Sequence, residues 1–427
     1  MSKQINSIEG TTTTLYPKPV QAWCKNTLFS MFGSLQFGKL SIDNCGQLYE
    51  FGNLQGEAPI IANLAVHDPQ LYPEILFKGS LGAAESYIKG YWSSDNLTDV
   101  TRLFVANTDL LNRQMDAGWS RLTAPLMRTY HWLRKNTHRG SKKNIVAHYD
   151  LSNDFFRLFL DRSMGYSCGI FEYENSTLHE AQVAKFDRIC KKLDLKEEDN
   201  VIEIGGGWGG FAMHAAQNYG CRVTTTTISN NQYLYMQSLF ADTGLAEKVT
   251  VLQQDYRELT GRFNKLVSIE MIEAVGHHFL DTFFAKCCEL LKPDGMMALQ
   301  AITIPDHEFS RHKNSVDFIK RYIFPGSCIP SVSAITKSIK RHTDLHLTHF
   351  EDITPHYATT LRLWRERFFA NLTKVKAMGF SNNFIRMWEY YLASCEGSFQ
   401  EHYNGDVQMI FTRPQCPREQ ILPFLGS

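Results

Sequence analysis

The chain of 427 residues carries 44 Lys and Arg against 44 Asp and Glu, and 43% of its residues are hydrophobic. This neutral balance argues against a nucleic-acid partner, because such proteins usually carry a basic excess. No apolar run approaches the roughly 20 residues that cross a bilayer. The ten scattered cysteines favour reduced thiols over a disulfide framework or a zinc site. We therefore expect a cytoplasmic protein, and its length predicts two domains.

The first predicted domain is a small α+β unit over residues 1–133. Residues 35–42 and 47–51 alternate between apolar and polar side chains on either side of a turn, which predicts a β-hairpin. Residues 134–144 are polar and basic, with few apolar side chains, which is typical of a linker. A second domain is then expected over residues 145–427.

Short strands alternate with helices in the second domain. Helices are predicted at 211–218 and 232–243, and the apolar or β-branched runs that predict strands are residues 200–204, 222–228, 249–252, 265–269 and 296–302. This alternation is typical of an α/β fold with a doubly wound, mostly parallel sheet.

A glycine-rich loop follows the first of these strands. Gly205, Gly206, Gly207 and Gly209 allow backbone N–H groups and a helix N-terminus to approach a ligand closely. On the loop alone, NAD and S-adenosylmethionine (SAM) are both open, because Gly205, Gly207 and Gly210 also fit G-x-G-x-x-G.

Two details favour SAM over NAD. The acid that NAD sites use for the ribose, about 20 residues after the loop, is absent, and that position falls among the threonines 224–227. Glu203 instead precedes the first glycine, where an acid can anchor the loop or the methionine end of SAM. The fold prediction is therefore of the class I SAM-methyltransferase type.

Several longer motifs carry a more specific signal: residues 148–155 (HYDLSNDF), 166–169 (YSCG), 227–232 (TISNNQ), 254–257 (QDYR), 273–276 (EAVG), 322–326 (YIFPG) and 391–395 (YLASC). With these motifs, the chain over residues 144–413 resembles the cyclopropane fatty-acyl-phospholipid synthases and their mycolic-acid relatives. Residues 79–87 and 90–92 resemble the family's N-terminal domain. The resemblance implies transfer of the SAM methyl carbon to a cis double bond of a phospholipid acyl chain.

The resemblance also implies the site residues. The cofactor residues, extended to their neighbours in the same loops, are Tyr166, Ser167, Glu203, Gly205, Gly206, Gly207, Gly209, Thr227, Ile228, Ser229, Gln232, Asp255, Tyr256 and Arg257. The family holds a bicarbonate ion at the reaction centre, and its contacts map to Cys168, Glu273, Gln300, Ile302 and Tyr357. Cys395 matches a cysteine once proposed as a nucleophile, although the mechanism requires no covalent enzyme intermediate.

The chemistry explains why a base is needed. Methyl transfer to an alkene leaves a carbocation, and loss of a proton from the added methyl closes the ring while water is excluded. The family's histidine is Gln300 here, and an amide cannot relay a proton as an imidazole can. A methyl-branched or methylene product is therefore the alternative, although the plant-type branch carries the same substitution and forms cyclopropanes. A non-catalytic lipid-binding protein is the alternative of another class.

Other features have plainer interpretations. We expect no metal at His277-His278, where a solvated loop is favoured, and Glu270 is assigned no role because it could pair structurally with an arginine. The apolar stripe over residues 380–399 fits a helix in the core or along the acyl channel. The basic residues between 311 and 341 fit either a solvated face or a contact with the phospholipid membrane surface. The expected location is peripheral on the inner membrane face, with a possible homodimer.

Overall fold

The computed structural model describes residues 16–54, 59–111 and 151–417. The predicted linker at 134–144 lies outside these residues, so it stays a prediction. The chain divides into two compact units. The smaller unit takes in Met1–Tyr130, Ser315–Ile323 and Trp364–Tyr403, and the larger unit takes in the remainder. The sequence assigned the last two of these segments to the second domain, whereas in the structure they group with the first.

The smaller unit contains a four-stranded sheet with the order β2-β1-β3-β4. Strands β1 and β2 form the predicted antiparallel hairpin, and β3 pairs parallel to β1. The elements of this unit are α1 (Lys18–Phe32), β1 (Lys39–Asn44), β2 (Gln47–Gly52), β3 (Ile61–Val66), α2 (Leu71–Ile88), β4 (Trp92–Ser93), α3 (Leu97–Ala106), α13 (Leu372–Ala377) and α14 (Asn382–Gln400).

Helix α14 completes the core of the smaller unit. Its Ala393 is fully buried in the same apolar cluster as Cys24 and Leu40, which lie near the start of the chain. The hydroxyl of Thr98 on α3 donates to Glu396 on α14 at 3.2 Å. Phe384, Trp388, Tyr391, Leu392 and Phe399 of the predicted stripe are buried on α14, so the stripe is largely core.

The larger unit contains a seven-stranded sheet with the order β10-β11-β9-β8-β5-β6-β7. Its elements are α4 (Asn153–Arg157), α5 (Leu178–Leu193), β5 (Asn200–Ile204), α6 (Gly210–Asn218), β6 (Arg222–Thr227), α7 (Asn230–Asp242), β7 (Val249–Gln253), β8 (Phe263–Ile269), α8 (Ile272–Val275), α9 (Leu280–Leu290), β9 (Leu291–Thr303), α10 (Asp306–Asn314), α11 (Val332–His342), β10 (His346–Asp352) and β11 (Gly405–Thr412). Helix α12 (Thr354–Ala370) begins in this unit and runs into the smaller one.

The five predicted strands pair in parallel as expected. The prediction of a doubly wound, mostly parallel α/β fold is thus confirmed. The sequence did not predict β10 and β11, which add antiparallel to the edge at β9.

Alternate residues of the central strands enter two different cores. Ile202 of β5 and Leu266 of β8 pack with α9 and α11, while their neighbours Val201 and Val267 pack with α5, α6 and α7. Side chains of a strand point to opposite faces in turn, so near-continuous apolar runs are needed when helices cover both faces.

No helix within the described residues is long and apolar enough to cross a membrane.

Burial predicts that two leucines of the larger unit contribute very differently to the free energy of unfolding. Leu266 is fully buried in β8, whereas Leu234 on α7 is 57% exposed. We expect Leu266→Ala to lower the free energy of unfolding by about 2–5 kcal/mol, because it removes buried methyl groups and leaves a cavity. Leu234→Ala is the matched control and should change it by less than about 0.5 kcal/mol. Urea denaturation of both variants checks this, and equal losses would contradict it.

Candidate active site

A cleft opens at the carboxyl ends of β5, β6 and β8 in the larger unit. Its volume is about 1190 Å³ when counted out to the open mouth. The lining residues include Tyr166, Ser167, Glu203, Gly205, Gly206, Gly207, Trp208, Thr227, Ile228, Gln232, Asp255, Tyr256, Arg257, Glu270 and Met271. Ligands of open α/β sheets bind at this edge.

The glycine loop is shaped by close approaches of neighbouring atoms. Gly205 has a φ of +87°, and a Cβ there would lie 2.5 Å from the Met271 side chain. A Cβ on Gly206 would overlap the hydroxyl of Thr225. Side chains at these two positions would therefore push the loop away from β6 and β8.

Glu203 is a buried carboxyl in the wall of the cleft. It is 3% exposed, and its Oε2 accepts a hydrogen bond of 2.6 Å from the Thr225 hydroxyl. Burial raises the pKa of Glu203 to about 7, because a low-dielectric environment disfavours the charged form. Its charge therefore changes near neutral pH.

The opposite part of the cleft comes from the ends of β6 and β7. The Thr227 hydroxyl donates to Gln232 Oε1 at 2.7 Å, and Arg257 binds both carboxylate oxygens of Asp255 at 2.9 and 2.6 Å. No acid lies at Thr227, where an NAD site would require one.

All the predicted cofactor residues except Gly209 and Ser229 line the cleft. Gly209 begins α6 with a φ of +87°, and a Cβ there would lie 2.8 Å from the ring of Phe240. Ser229 caps α7 by accepting from the N–H of Gln232. Gly209 and Ser229 therefore support the cleft indirectly, by shaping the loop and the start of a helix beside it.

A second group of polar residues converges on Glu270, to which the sequence assigned no role. Glu270 Oε1 accepts from the backbone N–H of Cys168 at 2.8 Å and from Gln300 Nε2 at 2.7 Å. Its Oε2 accepts from the Tyr357 hydroxyl at 2.5 Å. Three of the residues predicted to hold bicarbonate thus bind a carboxylate of the chain itself, and the arginine considered as its partner is not among these contacts.

The backbone of Glu270 is held in an unusual conformation. Its φ of +47° is uncommon for a residue with a side chain, and such conformations cost on the order of 1–3 kcal/mol and cluster at functional sites. Its N–H donates to the Gln300 carbonyl at 2.8 Å, which holds the residue against β9.

Gln300 is oriented by β11, a strand that the sequence did not predict. Gln408 Nε2 donates to Gln300 Oε1 at 3.0 Å, so the Gln300 amide group turns its N–H donors toward Glu270 and Asp406. Burial, and then the charge of Glu270, raise the pKa of Asp406 well above its usual value. This shift favours the neutral form of Asp406.

Glu273 and Ile302 form a separate contact beneath this group. The N–H of Ile302 donates to Glu273 Oε1 at 2.6 Å. Burial, and then the charge of Glu270, raise the pKa of Glu273 to about 8. Glu273 is 8% exposed and does not line the cleft.

The two cysteines predicted at the site are poor nucleophiles. Burial raises the pKa of the Cys168 thiol well above its usual value, and the pKa of Cys395 rises to about 12 for the same reason. Both are thiols at neutral pH, and the thiolate is the reactive form. Cys395 lies on α14 in the smaller unit and is not part of the cleft lining.

Comparison with known proteins shows which family the chain resembles. Residues 136–409 match the family model of mycolic acid cyclopropane synthetase. The chain is 37% identical over 380 residues to the tuberculostearic acid methyltransferase UfaA1 of Mycobacterium tuberculosis, covering 87% of this chain and 88% of the relative. It is 36% identical over 362 residues to the cyclopropane-fatty-acyl-phospholipid synthase of Escherichia coli strain K12, covering 84% and 90%.

A solved structure extends the likeness to the fold and the cofactor. The mycolic acid cyclopropane synthase CmaA1, complexed with SAH and CTAB, aligns with a TM-score of 0.59 and 34% identity over 64% of this chain and 98% of its own. The chain therefore belongs to the mycolic acid cyclopropane synthetase family, and it is a SAM-binding enzyme of the methyltransferase and cyclopropane synthase type.

Proposed function

We propose that this protein transfers the methyl carbon of SAM to the cis double bond of an unsaturated phospholipid acyl chain and closes a cyclopropane ring there. The observation that carries the proposal is one cleft that is lined by both the glycine loop and Glu270. The likeness to the Escherichia coli relative, which is named for a phospholipid product, supports the substrate.

The residues present fit the cofactor, because the crowding at Gly205 and Gly206 leaves a cradle that only a bare backbone can form. When bound, SAM supplies an electrophilic methyl group. The loop and the ends of β6 and β7 hold the cofactor in one orientation, and positioning of this kind can supply about 7–11 kcal/mol toward a bimolecular step.

Aromatic side chains support one wall of the cleft. Phe156 packs against Tyr166 and Trp208, with ring centroids 5.4 and 4.8 Å apart, and Tyr166 also lies 6.4 Å from the Phe324 ring. Such a wall excludes water, which would otherwise trap a carbocation as an alcohol. The negative face of an aromatic ring also stabilises a nearby cation.

Bicarbonate, the base implied by the family, does not fit among the donors predicted for it. The Cys168 N–H, Gln300 and Tyr357 already donate to the Glu270 carboxylate. A second anion at the same donors would lie against that charge.

A methyl-branched or methylene acyl chain is the second candidate product. Two observations favour it: Gln300 stands where the family's histidine is expected, and the relative UfaA1 is named as a methyltransferase. Both candidates share the first step, and they differ in where the last proton leaves.

The phospholipid substrate requires contact with a membrane surface, and α11 offers a basic face for it. Lys337, Lys340 and Arg341 are exposed on this helix, and the last two lie three and four residues after Lys337, so they share one side with it. Each contributes about 1 kcal/mol near anionic lipid. Lys320 from the same basic segment is buried and donates to the Ser315 carbonyl, so it is a structural residue.

Fatty-acid analysis tests the function directly. We expect that expression in a host without its own synthase adds the mass of one CH₂ group to monounsaturated phospholipid chains, with cyclopropane signals in the NMR spectrum. Olefinic methylene or branched-methyl signals at the same mass would instead select the second candidate. Chains unchanged from those of the host with an empty vector would refute both.

The raised pKa of Glu203 predicts that SAM binding depends on pH. The carboxylate form attracts the positively charged cofactor, and this form grows as the pH rises through about 7. We expect the Kd for SAM to fall several-fold between about pH 6 and about pH 7.5. Glu203→Gln should bind more weakly and without this dependence. Titration calorimetry measures both, with Glu289→Gln, an exposed residue on α9, as the control. A wild-type Kd that is constant or rises would contradict the assignment.

The protonated state of Cys395 predicts that its substitution leaves catalysis intact. We expect Cys395→Ala to keep kcat within about twofold, because a thiol with a pKa of about 12 is not a nucleophile at neutral pH. Steady-state release of S-adenosylhomocysteine measures this. A loss of two orders of magnitude in a folded variant would restore the nucleophile hypothesis.

A further inference from the structure

The position of Glu270 distinguishes it from Glu273 and Asp406, two buried acids of the larger unit. Glu270 lines the cleft, whereas Glu273 and Asp406 do not. It is also less buried than either of these two. It is therefore the carboxyl of this group that a molecule in the cleft can meet.

The donors around Glu270 come from three separate parts of the fold. Cys168 lies in the loop before α5, Gln300 on β9 and Tyr357 on α12. They donate to both carboxylate oxygens at 2.5 to 2.8 Å. Hydrogen bonds to both oxygens fit an ionised carboxylate, which only accepts. The arrangement thus holds one negative charge at a fixed place in the cleft wall.

The neighbouring acid does not compete for this charge. Burial, and then the charge of Glu270, raise the pKa of Asp406 well above its usual value. The neutral form of Asp406 is therefore favoured beside Glu270, because two carboxyls do not both ionise easily at short range.

We propose that the Glu270 carboxylate is the base that removes the last proton, in the place that the family resemblance assigns to bicarbonate. This rests on the proposed function. The π pair of the alkene forms a bond to the methyl carbon as the C–S bond breaks, and the C–S pair stays on sulfur. Glu270 then takes a proton from the added methyl, and the C–H pair forms the third bond of the ring. A methylene product also ends in the loss of one proton, so it needs the same acceptor.

The same geometry explains the substitution of glutamine for the family's histidine. If the base is a carboxylate of the chain itself, no separate anion has to be bound by an imidazole. What remains necessary is a neutral donor with a fixed orientation, and Gln408 fixes the Gln300 amide in that orientation.

Two variants of Glu270 separate a base in the chain from a bound ion. Glu270→Gln keeps the size of the side chain but removes the base, and we expect kcat to fall about 10²- to 10⁴-fold. Glu270→Gly also suits the positive φ and frees the three donors around an open space. We expect it to be equally slow, and added bicarbonate should restore part of its activity but none in Glu270→Gln.

A binding measurement gives a second readout that does not depend on turnover. Bicarbonate should raise the Tm of Glu270→Gly and leave the Tm of the wild type unchanged. SAM binding by calorimetry checks that both variants fold, and Glu289→Gln is the control that keeps full activity.

The outcomes distinguish this inference from the proposed function. Wild-type activity that persists in buffer freed of carbon dioxide, with rescue confined to Glu270→Gly, supports Glu270 as the base. Wild-type activity that disappears in this buffer and returns with bicarbonate overturns it, and so does a Glu270→Gln variant with nearly full activity. If the wild type modifies no lipid under any condition, the proposed function itself fails and the base assignment falls with it.

Discussion

The parallel pairing of β5 with β8 is the constraint on which the site depends. Glu203 on β5 lies opposite Val267 on β8, so the two strands end side by side. The glycine loop that follows β5 therefore meets the turn that follows β8. The space between Gly205 and the side chain of Met271 is too small for a Cβ. The cofactor loop and the turn that carries Glu270 are thereby joined in one wall of the cleft.

Burial changes the protonation equilibria of several acids in the larger unit. Glu203, Glu273 and Asp406 are all buried, and desolvation is the largest cause of the raised pKa in each. A buried acid that is protonated at neutral pH can donate a hydrogen bond without adding charge. Several carboxyls can therefore lie in this unit without the repulsion that the same number of carboxylates would produce.

Much of this arrangement is readable from the sequence, and the limits have physical causes. The five parallel strands and the glycine loop were predictable because apolar runs and glycines report on the local chain. Strand β11 was not predicted, because its place beside β9 is decided by pairing between residues far apart in sequence. Segment 364–403 was assigned to the second domain for the same reason, since its packing partners lie near the start of the chain.

Glu270 is a residue whose proposed role could not be predicted from the sequence alone. An acid after an apolar strand is compatible with an ion pair, a helix cap or a catalytic role, and sequence spacing does not distinguish them. The available signal was an acid three residues before Glu273, together with Gln300 in place of the family's histidine. Each feature is unremarkable alone, and their connection becomes visible only where β8 and β9 place the two side chains 2.7 Å apart.

The return of α14 to the smaller unit has a consequence for the order of folding. The core around Cys24 and Leu40 includes Ala393, so it cannot be completed until Ala393 has left the ribosome. Contacts of such long sequence separation close slowly, because the entropy of a long loop must be lost first. During synthesis the N-terminal sheet therefore exposes apolar surface until α14 has been made, and in this interval the chain is prone to aggregation.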